Sequence, residues 1–441
     1  MSGGIGTARG VALSVGAVLG PGVLVLPAIA VRVAGPASLV AWAALLCVSA
    51  LIATSFANLG ARYPDAGGVA AFTRRAFGAR AAAVVGCWLY AAVPAGVVAG
   101  SLAGARYTTA ALGAPAVTGM TAAVLLGVVY AANLVGLRLS ARLQLGLTGV
   151  LIAMLVGVLI VAGPHVDPHR ITPFAPQGIA GVGSAVAVLF VAICGWEATA
   201  NLSAEFTHPT QVRRAAIASL TIVAVLYTGL AVCTVGVLGD DAGDTTVPLM
   251  RLLAPADQAW AATIIAVAAV LFTVAASVTF VAAGARAGMS LANHHVLPAA
   301  LAVTGRDAEP RRHVLVQATA ATAVAVVAAA APHTITVETL MRVFAAMLAC
   351  VTLAGLAAAA RLLPQPRQRA GAAVAALAVA VVAALSAAFL LAPAVVAVAA
   401  LTRRRSTPPT TDPPSTTRHG AGPDIRDGSH ADPVVALGRI R

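Results

Sequence analysis

The stretch Gly16-Ala17-Val18-Leu19-Gly20-Pro21-Gly22-Val23-Leu24-Val25-Leu26-Pro27 lies inside the first apolar run of the chain, residues 11–32. Proline removes a backbone donor, and glycine adopts conformations that other residues avoid. Gly20-Pro21-Gly22 therefore predicts a helix that unwinds at its middle. In hydrocarbon, backbone groups released from a helix are tolerated only where protein buries them or where they line a cavity. The other reading is that the small residues let neighbouring helices pack closely.

The surroundings make this a membrane segment. The 441 residues are 60% hydrophobic and only 10% charged, too little charge to clothe a soluble protein of this size. The apolar residues come in runs of ~20, enough to cross a bilayer as helix. None shows the alternation of a barrel strand. The expected fold class is all-α and polytopic, with spans at 11–32, 36–60, 82–112, 117–137, 142–163, 180–202, 213–238, 257–285, 313–331 and 335–360. A final apolar block, 371–402, is long for one crossing and short for two.

Charge argues for two. The 28 basic residues are all arginine and sit mainly in the gaps between apolar runs. With the N-terminus inside, Arg62, Arg74, Arg75, Arg213, Arg214, Arg286, Arg311, Arg312 and Arg361 fall in cytoplasmic loops, whereas Arg32, Arg170 and Arg251 fall outside. Arg403, Arg404 and Arg405 join the inside set only if the last block crosses twice, turning near Pro393. About twelve helices follow, in the cytoplasmic membrane, with both termini cytoplasmic. The transmembrane domain is expected at 1–402, and 403–441, rich in Pro, Thr, Asp and Gly, as a disordered cytoplasmic tail.

The same pattern accounts for the formal charge of +13 without a nucleic-acid partner. Cys47, Cys87, Cys194, Cys233 and Cys350 have no paired spacing, so neither a disulfide framework nor a metal site is expected. No cluster of catalytic side chains and no phosphate-binding glycine loop occurs in the sequence. An enzyme, a metal and a cofactor are therefore not expected, and without a sizeable folded soluble domain a receptor or scaffold is a weaker reading.

A second interruption gives the first its meaning. In the sixth span, Ile193-Cys194-Gly195-Trp196-Glu197-Ala198-Thr199-Ala200-Asn201 places a glycine and an acid in an apolar run. Interruptions at corresponding positions of two five-helix halves, here about 9–163 and 180–360, point to a transport site at an inverted-repeat interface. Half-helix N-termini offer amides to a carboxylate, and exposed carbonyls receive an ammonium, which suits a zwitterionic amino acid. Glu197 is the sharpest residue. Placing a carboxylate at membrane depth costs ~2.5–3.5 kcal/mol on insertion scales, so it is a candidate proton carrier; alternatively it fixes the unwound backbone. Glu338 and Arg342, one turn apart in the tenth span, can pair directly.

Four segments resemble the amino acid–polyamine–organocation superfamily of permeases. They are the Gly20-Pro21-Gly22…Pro27 break; Arg62-Tyr63-Pro64-Asp65-Ala66-Gly67-Gly68 with Phe72 and Ala76-Phe77-Gly78; Gly195-Trp196-Glu197 with Glu205-Phe206-Thr207-His208-Pro209; and Arg286 through Met289 to Leu297-Pro298 with Pro310-Arg311-Arg312. The second and third look most similar to a neutral and branched-chain amino acid efflux branch. The resemblance implies a twelve-helix inverted-repeat fold with substrate held at the breaks of helices one and six. Gly20, Pro21, Gly22, Cys194, Gly195 and Trp196 would then contact substrate, with Glu197 coupling protons. Arg62, Glu205 and Arg286 would form an inner gate. Sodium-coupled members use adjacent hydroxyl residues in helix eight; here Val278 separates Ser277 from Thr279, so proton coupling or exchange is expected instead. The expected function is export of neutral aliphatic amino acids (Leu, Ile, Val, Met), with import or exchange as the alternative. The expected partners are the amino acid, protons and membrane lipid.

Overall fold

The computed structural model describes residues 6–405, apart from 65–66, 137–140, 204–205, 255–258 and 303–309. The regular elements are helices: α1 Thr7–Val18, α2 Leu26–Ala34, α3 Ser38–Arg62, α4 Gly68–Phe77, α5 Ala79–Ala111, α6 Thr118–Leu134, α7 Ala141–Ala162 and α8 Gly178–Leu189. They continue as α9 Trp196–Leu202, α10 Pro209–Cys233, α11 Pro248–Leu252, α12 Ala259–Asn293, α13 Arg311–Ala330, α14 Val337–Leu362, α15 Pro366–Leu385 and α16 Leu391–Arg405. Among the described residues, nine helical stretches are long and apolar enough to cross a membrane, and shorter apolar helices accompany them. The protein is an all-helical, multi-pass membrane protein.

Both interrupted spans are interrupted. The first divides into α1 and α2 around a single 3-10 turn, Pro21–Leu24. The sixth divides into α8 and α9 around another, Phe190–Ile193, followed by an extended Cys194. The final block is two helices, α15 and α16, but the chain turns at 386–390 rather than near Pro393. Pro393 lies in the first turn of α16, where a missing backbone donor breaks no helical bond. Residues 406–441, most of the expected tail, lie outside the described residues.

Helix eight also differs from its expected bounds. Nothing in Gly284-Ala285-Arg286-Ala287-Gly288-Met289-Ser290 stops a helix, so α12 continues to Asn293. It ends where His295 turns to φ 58°. Arg286 is therefore a helical residue and not a loop residue.

Small residues set the packing around the breaks. Gly96, Gly100 and Gly104 repeat every fourth position of α5 and so share one face. A β-carbon on Gly96 would lie 2.8 Å from the Phe344 ring, one on Gly100 3.3 Å from Pro21, and one on Gly104 3.1 Å from the Thr273 hydroxyl. This seam seats α14, the first break and α12 in turn, the close approach that small residues permit between membrane helices. On the other flank Trp42 of α3 stacks on Tyr227 of α10, ring centroids 4.8 Å apart.

The two-crossing reading of the C-terminal block has a direct test. Gln365 and Ala388, both exposed, precede and follow α15. In a cysteine-free background, Gln365→Cys and Ala388→Cys should react with a membrane-impermeant maleimide from opposite faces. Labelling from the same face would contradict a crossing by α15.

Candidate substrate site

The first break begins with a local rule. The residue before proline is pushed out of the helical region, and Gly20 accordingly sits at φ −64°, ψ 176° ahead of Pro21. Its glycine freedom is not what opens the helix; the proline does that. The carbonyls released nearby find tyrosines from other helices. Tyr107 donates its hydroxyl to the Leu24 carbonyl at 2.6 Å and accepts the Leu249 amide at 3.1 Å. Tyr227 donates to the Val18 carbonyl at 3.4 Å.

The second break needs its glycine outright. Gly195 has φ 126°, a region that side-chain-bearing residues rarely adopt. A β-carbon there would stand 2.5 Å from the Ala17 carbonyl oxygen and 2.9 Å from the Val18 α-carbon. The two breaks thus meet backbone to backbone, with the end of α1 lying on Gly195. Glu197, 8% exposed, turns back on its own helix start. One carboxylate oxygen accepts the Gly195 amide at 2.8 Å, and the other accepts the hydroxyl of Thr352 on α14. An anionic cap at a helix N-terminus is favoured by the free amides and the dipole there.

A cavity of 1420 Å³ reaches this junction. Gly16, Ala17, Gly195 and Glu197 line it at the breaks; Val93, Phe272, Phe280, Phe344 and Leu348 give it apolar walls. Arg62, Arg74, Arg75 and Arg286 line it as well, and all four are exposed. Tyr63 sits among them, with the Arg75 guanidinium 4.3 Å from its ring centroid. A second, small space adjoins the first break and is lined by Pro21, Gly22 and Ser277.

At the opposite end of the broken helices, side chains of α2 and α14 form an ion cluster. Arg32 of α2 and Arg342 of α14 both pair with Glu338, the latter at 2.9 Å. Arg342 also donates to the Ser184 hydroxyl of α8 at 3.0 Å. Helix α14 therefore bonds α2 and α8 and, through Thr352, the start of α9.

The residues selected from sequence divide by position. Pro21 and Gly22 line the small space, and Gly195, Glu197, Arg62 and Arg286 line the large one. Gly20 lines neither of these two, although its missing side chain faces open space. Cys194 is buried and donates its thiol to the Phe190 carbonyl at 3.3 Å. Trp196 is fully buried and donates its indole N–H to Ser49 of α3 at 2.8 Å, fastening α9 to its neighbour. Glu205 lies outside the described residues. Thr279 bonds back to the Ala275 carbonyl at 2.9 Å in the large cavity, whereas Ser277 is buried at the small one. Sequence reasoning missed Thr352, Phe280, Phe344, Tyr107 and Tyr227. Only the aromatic residues gave a signal, as large side chains opposite glycine-rich faces.

Comparison with known proteins assigns this architecture. Residues 5–411 match the amino acid permease family, and the chain belongs to it. That family is one of permeases, not of enzymes. It is 32% identical to an uncharacterized amino acid permease, YecA, of Bacillus subtilis, over 39% of this chain and 41% of that one. It is 34% identical to the L-methionine/branched-chain amino acid exporter YjeH of Escherichia coli, over 43% of this chain and 46% of that one. It is 35% identical to the branched-chain amino acid permease BcaP of Bacillus subtilis, over 28% and 27%. Each match spans less than half of the relative's length.

The Gly195 contact yields a clear expectation. Gly195→Ala combines a strained backbone, ~1–3 kcal/mol, with a collision against the Ala17 carbonyl. The purified variant should melt lower than the wild type and lose substrate binding. Wild-type melting and binding would show that the two breaks do not depend on this contact.

Proposed function

We propose that the protein exports neutral aliphatic amino acids, such as leucine, isoleucine, valine and methionine, by proton-coupled alternating access. The observation that carries the substrate class is the lining of the large cavity. Among the described residues Glu197 is its one carboxylate, and that carboxylate already holds Gly195 and Thr352. Among the described residues no second acid lines it to receive the cationic side chain of a basic amino acid, and an unpaired charge on the apolar walls would be costly. A neutral amino acid asks only for amides, carbonyls and apolar contact, which the breaks and walls offer. The likeness to the E. coli exporter supports the branched-chain and methionine choice.

In this reading the arginine-rich end faces the cytoplasm, as the positive-inside rule favours, and both termini lie there. The cavity opens to that side, with Arg62, Glu205 and Arg286 as its gate. The Arg32–Glu338–Arg342 cluster is the outer closure. Glu197 is the proton site. Ionised, it accepts from Gly195 and Thr352; protonated, it must also donate, and the Thr352 hydroxyl can turn to accept because a hydroxyl does both. Proton uptake would then loosen the cap on α9 and let the second break move.

Direction rests on the order in which proton and substrate occupy the site, and the experiment must read it. Cells with and without the protein are fed a leucine- or methionine-containing dipeptide, and the free amino acid is followed inside and outside. Export gives lower internal accumulation and faster external appearance when the protein is present. Faster uptake of external leucine without relief from internal overload would make the protein an importer.

For the proton site, Glu197→Gln keeps the acceptor for Gly195 and removes the titration. It should bind leucine while its transport loses dependence on pH. An unchanged pH profile would remove Glu197 from coupling, and failure to insert would leave it a structural cap.

A further inference from the structure

Away from the broken helices, one buried histidine fastens the turn that follows α12. His313 of α13 is fully buried. Its Nε2 lies 3.1 Å from the Leu301 carbonyl oxygen, and its Nδ1 lies 3.4 Å from the Tyr90 hydroxyl of α5. The two rings meet edge to face, centroids 5.8 Å apart. A carbonyl only accepts, so Nε2 carries the proton, and Nδ1 of the neutral ring accepts from Tyr90. Glycine makes the room: a β-carbon on Gly288 of α12 would stand 2.5 Å from the Tyr90 ring and 2.6 Å from Nδ1. Next to His313, Arg312 donates to the Ala300 carbonyl at 2.7 Å. The turn held in this way, 294–301, belongs to the large cavity. His294 and Val296 line that cavity, and Val296 is buried in one apolar cluster with Ala83 and Val84 of α5.

We infer that His313 is a second protonatable site, separate from Glu197, and that with Tyr90 it forms a latch. The neutral imidazole holds the 294–301 turn on the rim of the large cavity, and a proton on Nδ1 releases it. A proton from water adds to the Nδ1 lone pair, which can then no longer accept the Tyr90 hydroxyl. The ring becomes a cation among neutral neighbours. Tyr90 faces it from α5, Gly288 from α12 and the Leu301 carbonyl from the turn. Gln317 lies one turn further along α13, also buried, with its amide where Gly284 has no side chain. Tyr130 of α6 is buried within electrostatic reach of Tyr90. Arg311 and Arg312, exposed at the start of α13, add charge of the same sign. Arg306, Asp307 and Glu309 lie outside the described residues. Among the described residues no carboxylate pairs with the ring, so its charged form is satisfied only in water. The turn therefore stays docked while the ring is neutral and comes away as pH falls. This reading needs neither the substrate nor the direction proposed above.

The test places spin labels on Ala300→Cys in the turn and Arg80→Cys at the start of α5, both exposed positions. The protein is full-length, purified and otherwise cysteine-free, and its label distance is followed from about pH 8 to about pH 5, the range in which histidine changes charge. With His313 intact the distance should be constant at the alkaline end and lengthen in one step toward the acid end. His313→Gln keeps a donor for the Leu301 carbonyl and cannot titrate, so its distance should stay short throughout. Tyr90→Phe leaves the neutral ring one bond poorer and should move the step to higher pH by about half a unit to one unit. If His313→Gln does not fold, the Tyr90→Phe shift decides alone. A distance that never changes with pH overturns the latch, as does a step that survives unaltered in the variants. Shortening on acidification also overturns it, because an acid would then be holding the charged ring in place.

Discussion

The two broken helices meet at one backbone contact, the end of α1 lying on Gly195. Unwound backbone is ordinarily excluded from hydrocarbon because its amides and carbonyls have no water to bond. Two unwound segments are stable here because protein surrounds them. Tyr107 and Tyr227 take the carbonyls of Leu24 and Val18, and Glu197 takes the amide of Gly195. These partners come from α5, α10 and α9, so the breaks can persist only within the assembled bundle.

Helix α14 gives the arrangement its sidedness. Near its start Glu338 and Arg342 tie it to α2 and α8; further along, Thr352 ties it to the carboxylate of Glu197. Between them Phe344 walls the cavity against the glycine face of α5. One rod thus contacts α2, α8, the apolar wall and Glu197. These ion pairs are partly exposed and individually weak, of order 1 kcal/mol or less.

The breaks, the intramembrane acid and the arginine-rich loops were legible in the sequence because each departs locally from an apolar helix: a proline between glycines, a glutamate among alanines, charge confined to gaps. The partners of those residues were not. Thr352 is one hydroxyl in an apolar helix, and such hydroxyls usually bond their own preceding turn; nothing local marks it as facing Glu197. Trp196 adjoins Gly195 in sequence, yet the helical turn that starts there rotates its ring away from the cavity and into α3. Arg286 was expected in a loop because charge suggested a boundary, but helix ends are set by breakers such as the later His295 turn and Pro298. The C-terminal turn at 386–390 carries no glycine or proline, so the nearby Pro393 was the only visible candidate.

Alternation about the paired breaks is tested most directly by distances between spin labels at the two ends of the bundle. Arg213 of α10 and His294 just beyond α12 are exposed at the arginine-rich end, and Asp240 and Leu112 at the opposite end. With leucine present and pH varied, the Arg213–His294 distance should shorten as the Asp240–Leu112 distance lengthens, and the reverse on return. Distances that stay fixed at both ends, or that widen together, would contradict a carrier that turns about the Gly195 contact.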